Sequence, residues 1–109
     1  MTEKKSVIQF SFDKFDVSIA PYCNGLLVII NSGIQGVGTI IRTDEFKEHV
    51  ETDLLVGKQD NMLELLAMQL TLKLKAQSIV FVMSFKPEIL DGFEGVRKFL
   101  DGFVSALQE

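Results

Sequence analysis

Two unbroken apolar runs, Leu26 to Ile30 and Ile79 to Met83, set the strongest limit on what this chain can fold into. Neither run alternates, so neither suits a strand with one face in water. Each reads as a central β-strand that needs cover on both faces. The search for that cover organises the rest of the chain.

One source is the stretch Asn61–Ala76, which reads as the longest helix. At about 100° per residue, Met62, Leu63, Leu66, Ala67, Leu70 and Leu74 form a broad apolar stripe. Leu65, Met68, Leu72 and Ala76 form a second stripe, and Glu64, Thr71 and Lys75 are left on a narrow solvated ridge. Asn61 is placed to cap this helix, with Glu64 in the reciprocal position. A helix with two stripes needs two neighbours, so truncating Leu65 or Leu72 is expected to cost roughly 2–5 kcal/mol.

Pro87 suits the first turn of a last helix over about residues 88–107. Its stripe is Ile89, Phe93, Val96, Leu100, Phe103, Val104 and Leu107, beside a strip made of Gly92, Gly95, Gly102 and Ala106. Glycine in a helix costs about 1 kcal/mol relative to Ala. Close approach of the long helix along the strip is the expected compensation.

The N-terminal part is built of hairpins. Ile8, Phe10 and Phe12 alternate with polar residues, and Phe15, Val17 and Ile19 do the same. A two-residue turn at Asp13-Lys14 would set Phe12 against Phe15, Phe10 against Val17 and Ile8 against Ile19, all on one face. Pro21 is expected to end the second strand, and Asn24-Gly25 is a turn signal. Thr39–Ile41 and Leu54–Val56 read as short strands. Between them Thr43–Asp53 reads as an acidic loop carrying Asp44, Glu45, Glu48 and Glu51.

The element order is then βββββαβα, and the class is α+β with a mainly antiparallel sheet of about six strands. If both helices cover one sheet face, the outer sides of the two apolar runs stay bare. A second sheet across a dimer interface through Leu26, Val28, Ile30, Val80 and Val82 would cover them. The alternative is a monomer with one helix on each face.

A chain of 109 residues fits one domain, and a hydrophobic fraction of 47% is high for that size. Surplus apolar surface in so small a domain points to an oligomer or partner interface. The formal net charge of −4, with scattered Lys and Arg, argues against nucleic acid and for a basic protein partner. No run approaches the ~20 apolar residues of a membrane span. Met-Thr-Glu-Lys-Lys-Ser is not followed by a signal-peptide core, which gives the expectation of a cytoplasmic, or also nuclear, protein.

Chemistry finds little support. Cys23 is the only cysteine and His49 the only histidine, so no disulfide framework or conventional metal site is expected. A thiol enzyme would need the two in contact. The glycines Gly33, Gly36 and Gly38 precede a strand, whereas a phosphate loop precedes a helix. No cofactor and no catalytic residue is expected. Asp44, Glu45, Glu48 and Glu51 are the candidate partner-binding residues, because loops on a rigid scaffold commonly carry binding.

From about Leu26 to Val104 the chain also resembles the proteasome assembly chaperone 3 family. The pattern consists of an apolar strand, Val37-Gly38-Thr39-Ile40-Ile41, Leu54-Leu55-Val56-Gly57 with Gln59-Asp60, and the long apolar helix. It continues through Ile79–Met83 and closes with Asp91-Gly92-Phe93, Val96-Arg97 and Phe99-Leu100. The resemblance implies a single non-enzymatic chaperone domain over residues 1–109. It implies pairing with a proteasome assembly chaperone 4-like subunit, or with itself, and help in ordering the α-subunits of the 20S core into a ring. A small protein-interaction adaptor of another family is the competing reading.

Overall fold

The computed structural model describes residues 7–33, 38–47 and 49–108. The strands are β1 (Ile8–Phe12), β2 (Phe15–Tyr22), β3 (Gly25–Asn31), β4 (Thr39–Phe46), β5 (His49–Val56) and β6 (Ser78–Ser84). Helix α1 (Asn61–Leu74) precedes β6, and a 3₁₀ turn (Pro87–Leu90) and α2 (Gly92–Leu107) follow it. The fold is α+β, with one six-stranded sheet in the order β1-β2-β3-β6-β4-β5. All neighbours are antiparallel except β3 and β6. The last strand in sequence therefore lies in the middle of the sheet, between the hairpins built from the first half.

The β1–β2 register is the one the alternation predicts: Ile8 opposite Ile19, Phe10 opposite Val17 and Phe12 opposite Phe15. Asp13 supplies the positive φ (55°) that the two-residue turn needs. Across the whole sheet one face reads Ile8, Ile19, Val28, Phe81, Ile41, Leu54, and one row on Phe10, Val17, Ile30, Met83, Thr39. Both helices cover this face. Helix α1 lies over β4, β5 and β6, whereas α2 lies against β1 and touches α1. Phe99 and Phe103 of α2 meet Phe10, Phe12 and Phe15 edge to face, with ring centroids 4.7–6.2 Å apart. Burying these rings with Leu63, Leu66, Leu70, Val96 and the inward strand residues forms one contiguous core.

Several expectations are corrected. Strand β2 runs through Pro21 to Tyr22. The last pair with β1 is Ile8–Ile19, so among the described residues no strand faces Pro21 on that side, where a missing N–H costs no ladder bond. The cap of α1 is Asp60, whose Oδ1 accepts from the amides of Met62 (2.9 Å) and Leu63 (3.1 Å). Thr71 is fully buried, off any solvated ridge. Its Oγ1 donates to the Ala67 carbonyl at 2.8 Å, leaving Thr43 Oγ1 to donate to it across 2.6 Å. This bond ties α1 to β4. Leu72, in contrast, is 48% exposed, so its side chain fills no second core.

The final helix is broken as well. Asp91 (φ 58°) and Gly92 (φ 77°) are both left-handed, which separates the 3₁₀ turn from α2. The rotation that follows buries Val96, Phe99 and Phe103 and leaves Phe93 70% exposed. The glycines do not receive α1. Gly95 lies against the Leu90 carbonyl, and a Cβ on Gly102 would stand 2.7 Å from the Phe12 ring. Close approach is real, but the neighbours are the 3₁₀ turn and β1.

Candidate functional site

The sheet face away from the helices is open, and its composition follows from the same register. One row crosses it as Gln9, Ser18, Ile29, Val82, Ile40, Val56. The next reads Ala20, Leu27, Val80, Arg42, Asp53. The centre is apolar, the β1–β2 side is polar with Asp16 as its one charge among the described strand residues, and the β4–β5 corner is charged. An irregularity at Ile40/Ile41 leaves Leu55 without a partner on β4, and Leu55 and Val56 are both exposed.

Two of the five predicted interface residues on the central strands lie here, Val80 and Val82. Leu26, Val28 and Ile30 do not. Val28 and Ile30 are fully buried on the helix side, and Leu26 packs against that core. The outward residues of β3 are Leu27 and Ile29. Side chains alternate with period 2, so a one-residue misreading exchanges the faces. The signal was present: any two-residue turn between Tyr22 and Gly25 pairs Ile19 with an even-numbered residue of β3. That places Val28 and Ile30 with the inward face of the first hairpin. Leu27 and Ile29 are the face residues that the continuous run Leu26–Ile30 concealed, and Ile40, Arg42 and Val56 join them from β4 and β5.

The acidic stretch is not a loop. Thr43–Phe46 continues β4 and His49–Asp53 belongs to β5, because Thr43, Val50 and Thr52 alternate inward along it. Glu48 lies outside the described residues, as do residues 34–37 of the glycine-rich connection. Asp44, Glu51 and Asp53 project from the open face, whereas Glu45, paired with Val50, belongs to the helix side. Thus Asp44 and Glu51 share a face with Val80 and Val82, while Glu45 stands apart from them.

Arg42 holds the corner together. Its Nε donates to Asp44 Oδ2 at 3.1 Å, and Nη2 is 3.8 Å from Asp53 Oδ2. Its side chain is about half exposed, so these pairs contribute little to stability. His49 Nε2 lies 3.3 Å from Glu51 Oε2, and its ring is 5.8 Å from that of Phe46. The pairs Glu45–Val50 and Phe46–His49 lie past Ser78, the last partner of β4 on β6, so this end of the hairpin projects beyond the central strand.

Cys23 sits exposed in the β2–β3 turn at φ 53°. A shallow depression of ≈ 350 Å³ beside it is lined by Tyr22, Arg42, Ser78 and Val80, with no imidazole among its walls. Among the described residues no three His, Cys, Asp or Glu side chains converge as a metal site would require. Among them, too, no helix is long and apolar enough to cross a membrane. The arrangement can bind a protein surface, apolar at the centre and charged at one corner. Compared with known proteins, the chain matches no family model and no curated protein.

Proposed function

We propose that this chain is a non-enzymatic cytoplasmic chaperone that assists assembly of the 20S proteasome α-ring and acts as a dimer. The observation that supports it is the open sheet face. Leu27, Ile29, Ile40, Val80, Val82 and Val56 form an apolar area too continuous for scattered surface residues. A second sheet laid on it, from a proteasome assembly chaperone 4-like subunit or from another copy, would give layers of helices, sheet, sheet and helices. The resemblance of Leu26–Val104 to proteasome assembly chaperone 3 gives the reading its direction. The projecting β4–β5 hairpin, which carries Glu45 on the side away from that face, is then the part left to meet basic α-subunit surface, with Glu48 and Glu51 as the neighbouring acidic residues of the sequence.

Affinity capture with the tagged chain tests this reading. It expects recovery of proteasome α-subunits, reduced by raised salt and by the combined Glu45→Gln, Glu48→Gln, Glu51→Gln substitution. Capture that ignores both removes the hairpin from the account. Capture with no α-subunits at all removes the chaperone reading and leaves an adaptor domain using the same face.

A further inference from the structure

We infer that the outer edge of β5 is a docking site for an extended segment of a partner protein, which enters as a further strand carrying Lys or Arg at alternate positions. This goes beyond the chaperone reading and does not depend on it. It uses backbone at the margin of the sheet, away from the open face. Strand β5 ends the sheet, and among the described residues no strand lies beyond it. From His49 to Leu54 it pairs without interruption with β4, so alternate backbone N–H and C=O groups point outward along a regular edge.

Two observations select what fits there. The first is an unfinished margin on the helix side. Leu54 pairs with Ile41 and shares its face, yet Leu54 is 36% exposed and Ile41 only 1%. Helix α1 touches β5 without covering Leu54. An added strand with β-branched side chains beside Thr52 and Leu54 would complete that cover. The second observation is charge. Glu51 and Asp53 stand two residues apart, hence together on the other face, and both side chains are largely exposed. Their contacts with His49 and Arg42 come from within this sheet and leave them accessible. Carboxylates on an edge turn away strands of like charge. The same pair attracts a strand whose cations are also two apart, because opposite charges on facing residues add to strand pairing. The recognised chemistry is an extended segment with cations on one face and β-branched residues on the other, held through its backbone.

The test is titration of the peptide Thr-Val-Lys-Val-Lys-Val-Thr into the isotope-labelled chain at low ionic strength, read by amide chemical shifts. Saturable shifts centred on His49–Leu54 are expected. The isomer Thr-Val-Lys-Lys-Val-Val-Thr, whose cations fall on opposite faces, should bind about tenfold or more weakly. N-methylation of alternate peptide residues should abolish binding in one parity and spare it in the other, because only one side of an added strand meets β5. A Glu51→Lys, Asp53→Lys chain should lose the lysine peptide and take Thr-Val-Glu-Val-Glu-Val-Thr instead. The inference is overturned if the lysine peptide does not bind, if its shifts fall away from β5, or if the two lysine peptides bind equally. It is overturned, too, if both N-methyl parities act alike, or if a folded charge-reversed chain does not take the glutamate peptide. Self-association of the chain through this edge, excluding the peptide, would assign the edge to a second copy and end the proposal. The N-methyl comparison uses the parent chain and so holds whether or not the variant folds. None of these readouts involves α-subunits, so the chaperone reading stands or falls separately.

Discussion

Neighbouring residues of the same strands end in opposite surroundings. Val28 is fully buried and Ile29 is 38% exposed; the difference is one position in β3. Phe81 and Val82 repeat the contrast in β6. The covered face is finished by this chain's own helices, with aromatic rings interlocked over it. The open face has comparable apolar residues at its centre but, among the described residues, no helix above them. What separates the covered face from the open one here is not side-chain chemistry but whether the described helices return over it.

Paired substitutions are the most direct way to break this contrast. Phe81→Ala should cost about 3–5 kcal/mol in chemical denaturation. Val82→Ala on the opposite side of the strand should cost within about 0.5 kcal/mol in the isolated chain. Equal costs would mean that the open face is already packed in the isolated protein. The threonine bridge is the next probe. Thr71→Val leaves Thr43 Oγ1 only the long contact to the Ile79 carbonyl at 3.5 Å and should cost about 1–3 kcal/mol, and the double variant with Thr43→Val should recover most of it. A double variant no better than the single one would show that the bridge does more than satisfy its own hydroxyls. The smallest effect belongs to the helix layer. Leu72→Ala should change stability by no more than about 0.5 kcal/mol, against about 2–5 for Leu70→Ala.

Much of this was legible where a local rule and a tertiary need agree. The first hairpin is read correctly to the residue, since alternation and a two-residue turn leave one register. The central strands were recognisable as strands, but a continuous apolar run carries no parity. Leu26, Val28 and Ile30 could be assigned to the correct side only by carrying the register across from Ile19. Thr43–Asp53 was obscured because acidic side chains suppress the apolar alternation while Thr43, Val50 and Thr52 keep it in β-branched form. Thr71 looked solvated by residue type, yet a hydroxyl with a partner at 2.6 Å is well placed in a core. The last helix was turned by the left-handed pair Asp91-Gly92, which periodicity alone does not register.

The position of β6 has a consequence for how the chain is made. Until Ser78–Ser84 leaves the ribosome, the β1–β2–β3 meander and the β4–β5 hairpin have nothing between them, and β3 and β4 each present bare backbone along one edge. The β3 edge belongs to a strand rich in Leu, Val and Ile, the composition most prone to adventitious strand pairing, whereas β4 carries Arg42, Asp44 and Glu45 beyond Ile40 and Ile41. Only the parallel β3–β6 match and the antiparallel β4–β6 match, both long in sequence separation, close the sheet. Folding of the first two thirds is thus held open until the final third arrives. During synthesis the molecule carries two unfinished sheet margins, which β6 then seals together.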